Sequence, residues 1–129
     1  MKKNDSEKIN KDYKIIVVED DEGLNRLLIK HLERAGFDTI PALNGKEALS
    51  KVSGNKNEIL LIDYKLPDTN AKDLITQLSE QDIKIPFIIM TGHGDEKLAV
   101  EMMKMGALDY IIKESNFIEL LIPKLKKAC

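Results

Sequence analysis

Short apolar runs alternate along the chain with longer stretches in which apolar residues recur every three or four positions. A short continuous apolar run is typical of a strand covered on both faces, whereas the three-to-four spacing is typical of an amphipathic helix. FDTI is the weakest of the apolar runs, so we expect it nearer an edge of the sheet. The predicted strands are KIIVV (14–18), FDTI (37–40), EILLI (58–62), IPFIIM (85–90) and DYIIK (109–113).

A helix is predicted after each strand, and Gly36 should end the first one because glycine is favoured just beyond a helix. Pro123 is expected to interrupt or kink the last helix, since proline lacks an N–H and clashes one turn back. The methionines near residue 103 are expected to lie mostly in the core. The residues predicted to face inward are Leu24, Leu27, Leu28, Leu32 and Ala35; Ala48, Leu49 and Val52; Leu74, Ile75 and Leu78; Leu98, Ala99, Met102, Met103 and Met105; and Phe117, Leu120, Leu121 and Leu125.

Five strand–helix units in series predict an open, doubly wound α/β fold with a parallel sheet and right-handed crossovers. The functional site of such a sheet lies beyond the carboxyl ends of its strands. Residues 1–12 are charged and precede the first unit, so we predict a mobile leader there and one domain over residues 13–129.

Chemically distinctive side chains stand where the predicted strands end. Glu19 and Asp20 follow the first strand, Asp63 the third, Thr91 the fourth and Lys113 the fifth. Oxygen ligands without His or Cys suit Mg²⁺. A carboxylate such as Asp63 can act as a nucleophile and hold a phosphoryl group as an acyl phosphate. The ammonium and hydroxyl groups would then contact the phosphoryl oxygens.

Composition and charge narrow the range of partners. The chain has 129 residues and a net charge of −2, with no broad basic field, so we expect no direct binding of nucleic acid. The longest apolar runs are far shorter than the roughly 20 residues needed to span a bilayer, and the polar start does not resemble a signal peptide. The single cysteine, Cys129, allows no internal disulfide. We therefore expect a cytoplasmic protein.

Four stretches in this order and at these spacings resemble the receiver domains of bacterial two-component response regulators: KIIVVEDDEGLNRLLIKHLERAGF, LLIDYKLPD, PFIIMTGHG and GALDYIIK. The resemblance runs from about Lys14 to Lys127. It implies a flavodoxin-like fold in which five parallel strands lie in the order 2-1-3-4-5 and five helices cover them.

The resemblance also implies the roles of the residues at the strand ends. Asp63 would accept a phosphoryl group from the phosphohistidine of a histidine kinase, and Lys113 would bridge to the phosphate. Mg²⁺ would bind Asp20, Asp63 and the backbone carbonyl of Lys65, with Glu19 reaching it directly or through water. The domain would catalyse only its own phosphorylation and dephosphorylation, so we do not expect an enzyme acting on a separate substrate.

A conformational switch is the second implication. Thr91 and Tyr110 would form the switch pair, and the face made by the fourth helix, fifth strand and fifth helix would change shape. The implied partners are a histidine kinase or phosphotransfer protein and a downstream output domain or protein. The same face often makes homodimers in this family, and related receivers are also attached to sensor kinases.

Two positions depart from the family pattern, and one alternative function stays open. Many receivers have glycine in place of Ala71 and a proline, often joined by a cis bond, in place of Glu114; here we expect a trans bond. The alternative is a degenerate receiver that binds proteins without being phosphorylated. Such a receiver would normally have lost one of the five site residues.

We expect Asp21 and Glu22 to cap the first helix and His93 to be a solvated loop residue.

Overall fold

A computed structural model of the chain describes residues 12–129. Within them, five strands form one sheet and a helix follows each strand. The strands are β1 (Lys14–Val18), β2 (Asp38–Ala42), β3 (Glu58–Asp63), β4 (Phe87–Thr91) and β5 (Asp109–Ile112). The helices are α1 (Glu22–Arg34), α2 (Gly45–Lys51), α3 (Ala71–Glu80), α4 (Glu96–Lys104) and α5 (Phe117–Ala128). Of the predicted leader, only Asp12 lies among the described residues.

The sheet is parallel throughout and its strands lie in the order β2-β1-β3-β4-β5, which confirms the predicted fold. The weak run FDTI does form part of an edge strand, β2, although that strand is shifted to Asp38–Ala42. Pro41 lies inside β2, where an edge strand tolerates a residue without an N–H.

Alternate residues of the strands build two hydrophobic cores, one on each face of the sheet. Side chains of successive strand residues point to opposite faces, so odd- and even-numbered residues of β1 separate. Ile15 and Val17 lie in the core under α1 and α5, and Ile16 and Val18 lie in the core under α2, α3 and α4. Both faces are therefore covered, as the continuous apolar runs predicted.

Several residues predicted to face inward are exposed instead. Leu27 is 45% exposed, Leu120 is 62% exposed, and Met103 and Met105 are 40% and 36% exposed. The helices that carry these residues contact the sheet along a narrower stripe than their apolar residues cover. In the last helix, Ile118 takes the inward position that was assigned to Leu120. Apart from Leu27, these exposed residues lie on α4, just after it, or on α5.

Pro123 does not interrupt the last helix, so that half of the prediction was wrong. The helix α5 runs continuously from Phe117 to Ala128, with Pro123 exposed inside it. Leu121 before the proline and Leu125 after it are both fully buried, and their packing holds the helix together across the missing hydrogen bond. No helix within residues 12–129 has the length and apolar character needed to cross a membrane.

Candidate functional site

Strand register brings the predicted site residues to one edge of the sheet. Val18 pairs with Ile62, so Glu19 and Asp63, the next residues of the two segments, lie side by side. Thr91 ends β4, and the amide of Lys113 donates a hydrogen bond to the Thr91 carbonyl. The side chains at the ends of three neighbouring strands, and those of the segment after β5, therefore lie at the same edge of the sheet.

Three carboxylates and one ammonium meet there. Glu19, Asp20 and Asp63 each place one carboxylate oxygen within 4.8 Å of the others. The Lys113 ammonium donates to Glu19 Oε1 at 2.8 Å and to Asp63 Oδ2 at 2.9 Å. The predicted convergence of these four side chains is confirmed.

The charges of this cluster do not balance. Burial raises the pKa of Asp63 above its usual range, although the hydrogen bond and charge of Lys113 act in the opposite direction. Burial raises the pKa of Glu19 in the same way. Burial also acts to lower the pKa of Lys113, but the two carboxylates outweigh this effect and raise it. One cation facing two buried acids and the exposed Asp20 leaves excess negative charge, which a divalent cation would offset.

The individual acids differ in what they can offer a metal ion. Glu19 is only 1% exposed, and its two oxygens already accept hydrogen bonds from Lys113 and from the Asp21 amide. Asp20 is exposed and can turn toward an incoming ion. The next acid along the chain serves the helix instead, because Asp21 Oδ1 accepts a hydrogen bond from the Leu24 amide and caps α1, as predicted.

The Thr91 hydroxyl is buried without a hydrogen-bond partner among residues 12–129. The residue is 1% exposed. A buried hydroxyl left without a partner costs about 1–3 kcal/mol, so a water or ligand oxygen beside Thr91 Oγ1 would be favoured. The hydroxyl can donate to an oxygen of a group held on the neighbouring strand end.

Tyr110 lies on the same face of the sheet as Thr91. It pairs with Ile89 in register, and Thr91 is two residues further along β4, so both side chains point toward the α2–α4 side. The tyrosine is half-buried and packs against the core on that side. The two residues of the predicted switch pair are therefore placed where one could respond to the other.

The loop after Asp63 is closed by backbone hydrogen bonds. The Leu66 amide donates to the Thr69 carbonyl, and the Ala71 amide donates to the Tyr64 carbonyl at 2.8 Å. Lys65 forms a bridge with Asn70 inside this turn. Ala71 is fully buried at the start of α3, so alanine is accommodated at the position where many receivers have glycine.

The second departure lies in the loop after β5. No cis peptide bond occurs within residues 12–129, so the bond between Lys113 and Glu114 is trans, as predicted. Glu114 Oε1 lies 3.4 Å from His93 Nδ1, which joins this loop to the loop after β4. His93 is 84% exposed, in agreement with its prediction as a solvated residue.

Asn25 supports the site, and the sequence reasoning missed it. Its side-chain nitrogen lies within hydrogen-bond distance of the carbonyls of Val17, Glu19 and Ala42, at 3.2, 3.0 and 3.1 Å. These contacts fix the end of β1, where the acids stand. The sequence did contain one indication of this role. Asn25 is a polar residue beside the apolar stripe of α1, and α1 begins at the site.

Asp63 is 8% exposed, so its carboxylate is mostly buried with a small part of its surface open to solvent. A groove of about 490 Å³ lies between α1 and the connection from β2 to α2, and it is not lined by Glu19, Asp20, Asp63 or Lys113.

Comparisons with known proteins identify what the chain is similar to. The sequence model of the family described as "Response regulator receiver domain" matches residues 15–122. The chain is 36% identical over 100 residues to the alkaline phosphatase synthesis transcriptional regulatory protein PhoP of Bacillus subtilis. It is 35% identical over 102 residues to the transcriptional regulatory protein FixJ of Rhizobium meliloti. These matches cover 78% and 79% of the chain but only 42% and 50% of the two relatives, so the chain spans about half of their length.

Solved structures show the same architecture. A response regulator receiver domain protein from Clostridium thermocellum superposes with a TM-score of 0.80 at 26% identity, covering 90% of this chain and 93% of that one. The crystal structure of FixJ-N superposes with a TM-score of 0.76 at 32% identity, covering 91% and 95% of the two chains.

Proposed function

Because the chain belongs to the response regulator receiver domain family of two-component systems, we propose that Asp63 accepts a phosphoryl group from the phosphohistidine of a histidine kinase. The observation that carries this proposal is the pairing of buried Asp63 with Lys113 beside a Thr91 hydroxyl that has no partner among the described residues. We propose that residues 13–129 form this receiver and that it acts in the cytoplasm.

The chemical step is the exchange of one phosphorus bond for another. A carboxylate oxygen of Asp63 attacks phosphorus, a new P–O bond forms, and the P–N bond to the kinase imidazole breaks with its electron pair returning to the ring nitrogen. Lys113, held by Glu19 and Asp63, neutralises charge on the phosphoryl oxygens. The Thr91 hydroxyl donates to one of these oxygens and gains the partner it lacks.

The residues present fit Mg²⁺. Three carboxylates without His or Cys form a hard oxygen set, and their excess negative charge favours a divalent ion. Asp20, Asp63 and the carbonyl of Lys65 would hold it, with Glu19 reaching it directly or through water. When bound, Mg²⁺ supplies positive charge beside the transferring group.

Thr91 and Tyr110 would transmit the conformational change from the site to the surface of the domain. Phosphorylation adds charge and acceptor oxygens at Asp63. Thr91 moves toward the phosphate, Tyr110 follows into the vacated space, and the face formed by α4, β5 and α5 changes shape. Converting a 1:99 population into 99:1 takes about 5.5 kcal/mol of preferential binding by the partner.

The partner surface on that face is supported by exposed apolar side chains. Val100 and Met103 on α4 are 52% and 40% exposed, Leu108 before β5 is 45% exposed and Leu120 on α5 is 62% exposed. We propose that this surface contacts an output domain, an output protein or a second copy of the chain. An attached output domain is consistent with the Bacillus subtilis relative, of which the match covers only 42%.

Phosphoryl uptake tests the proposed function. The chain is incubated with acetyl phosphate, with and without Mg²⁺, and its intact mass is measured. The wild type should gain one phosphoryl group only with Mg²⁺, and Asp63→Asn should gain none. Absence of uptake by the wild type would favour the alternative, a degenerate receiver that binds proteins independently of phosphorylation.

A further inference from the structure

The turn between β3 and α3 is tied to the preceding helix, α2, by one carboxylate. Asp68 Oδ1 accepts a hydrogen bond from the Gly45 amide at 2.8 Å, and Asp68 Oδ2 accepts one from the Lys46 amide at 3.0 Å. These contacts join residues 23 and 22 positions apart in the sequence. We call residues 64–70 the site loop, because they directly follow Asp63.

Asp68 completes the hydrogen bonding at the start of α2. The first amides of a helix have no partner inside the helix. The Asn44 side chain satisfies the Glu47 amide, and Asp68 satisfies the two amides before it. These hydrogen bonds, the one from Gly45 foremost, lower the pKa of Asp68, so the contact favours the charged carboxylate.

Close packing at Gly45 reinforces the contact. Gly45 is buried, and a Cβ atom added there would clash with Thr69 Cγ2 in the site loop. Glycine therefore allows the site loop to lie directly against the beginning of α2. A side chain at this position would force the Thr69 side chain to move and would crowd the Asp68 carboxylate.

The Asp68 hydrogen bonds and the close packing at Gly45 both hold the segment that contains Lys65. The carbonyl of Lys65 is the one predicted to bind the metal. Lys65 is two residues from Asp63 and three from Asp68. Its turn is closed at the base by the Ala71–Tyr64 and Leu66–Thr69 backbone hydrogen bonds. With the base closed and the tip held by α2, the Lys65 carbonyl has little freedom to change direction.

We propose that Asp68 is a positioning residue, which anchors the site loop to α2 and thereby orients the Lys65 carbonyl toward the metal site. This inference rests on the proposed function, since it concerns the same Mg²⁺ site. It adds a residue outside the acidic cluster, and it makes α2 a structural support of that cluster.

The test compares Asp68→Ala with Glu80→Ala. Both variants remove one exposed acid, but Glu80 lies at the end of α3 that is far from the site loop. Mg²⁺ affinity is measured by isothermal titration calorimetry, and the fold is checked by circular dichroism and thermal unfolding. Removing an outer support of a metal site costs about 10- to 100-fold in affinity, so we expect roughly tenfold weaker binding for Asp68→Ala and wild-type binding for Glu80→Ala.

A second readout separates positioning from general loss of structure. With Asp68→Ala, the rate of phosphoryl uptake from acetyl phosphate should fall at low Mg²⁺ and recover at saturating Mg²⁺. Gly45→Ala, which crowds the Thr69 and Asp68 side chains of the site loop, should shift the Mg²⁺ dependence in the same direction. This second variant keeps the test decisive if Asp68→Ala folds poorly.

Wild-type Mg²⁺ affinity in both Asp68→Ala and Gly45→Ala would overturn the positioning role while leaving the proposed function intact. A wild-type chain that neither binds Mg²⁺ nor takes up phosphoryl groups would overturn both.

Discussion

At the residue scale, the site holds more negative charge than its one lysine neutralises. Lys113 contacts Glu19 and Asp63 together, and Asp20 lies beside them without a cation of its own within hydrogen-bond distance among the described residues. The pKa values of Glu19 and Asp63 are raised mainly by burial, with a smaller contribution from a neighbouring acid, so the folded chain disfavours their charged forms. A bound cation would favour the charged forms.

Replacing the phosphoacceptor should stabilise the metal-free protein. A carboxyl whose pKa is raised on folding contributes full stability below its unfolded pKa, about 3.8, and this contribution is lost as pH rises through the higher folded value. In EDTA, Asp63→Asn should therefore unfold at a higher temperature than the wild type, by a margin that grows as pH rises from about 4 toward neutral. Thermal unfolding across this range measures the margin.

Added Mg²⁺ should reverse that order by stabilising the wild type more than the variant. Glu80→Gln, which changes an exposed acid outside the cluster, serves as the control for the loss of one carboxylate. A margin that stays constant over the whole pH range would contradict the electrostatic account of the site.

The Thr91 hydroxyl should matter for switching and not for folding. Thr91→Ala removes the cost of the unpaired hydroxyl and also removes a buried methyl group, and these two effects oppose each other, so the variant should unfold within about 1 kcal/mol of the wild type in urea. It should still take up phosphoryl groups, but the Tyr110 ring should show no change in its NMR signals on phosphorylation. Thr91→Ser retains the hydroxyl and should restore the change. A normal Tyr110 response in Thr91→Ala would remove Thr91 from the switch.

At the element scale, the periodicity predicted the buried residues at the centre of the α1 stripe. It did not predict which apolar residues at the margins of the helix stripes are exposed. The inward positions of Leu28 and Leu32 followed from spacing, because they lie at the centre of the α1 stripe. Leu27 and Leu120 lie at the margins of their stripes, where packing of a neighbouring helix, and not local pattern, decides exposure. Local sequence predicted an interruption at Pro123 that does not occur, since tertiary packing on both sides keeps α5 continuous.

The exposed apolar residues of α4 and α5 give the partner surface a direct test. Leu120 is 62% exposed, so Leu120→Glu should leave the stability of the monomer unchanged to within about 0.5 kcal/mol. If the phosphorylated chain dimerises through α4, β5 and α5, the glutamate charge would be buried in the interface. The variant should then form no dimer in sedimentation velocity experiments. Leu27→Glu is the matched control, because Leu27 is also an exposed leucine but lies on α1. Loss of the dimer in the control alone would place the interface on α1.

At the scale of the whole molecule, the fold was more predictable than the supports of the site. Continuous apolar runs and amphipathic stretches determine the parallel sheet, and a parallel sheet brings the ends of its strands together. The convergence of Asp63 and Lys113 follows from that geometry. The roles of Asn25 and Asp68 could not be predicted, because each depends on contacts with carbonyls or amides that are distant in sequence.

The most direct test of the central claim identifies the residue that carries the phosphoryl group. The chain is phosphorylated with acetyl phosphate in Mg²⁺ and treated with borohydride, which reduces an aspartyl phosphate to homoserine, and the peptides are analysed by mass spectrometry. We predict homoserine at position 63 and at no other acid, and none when EDTA replaces Mg²⁺. Homoserine at position 20, or an unmodified Asp63 in protein that has gained a phosphoryl group, would contradict the account.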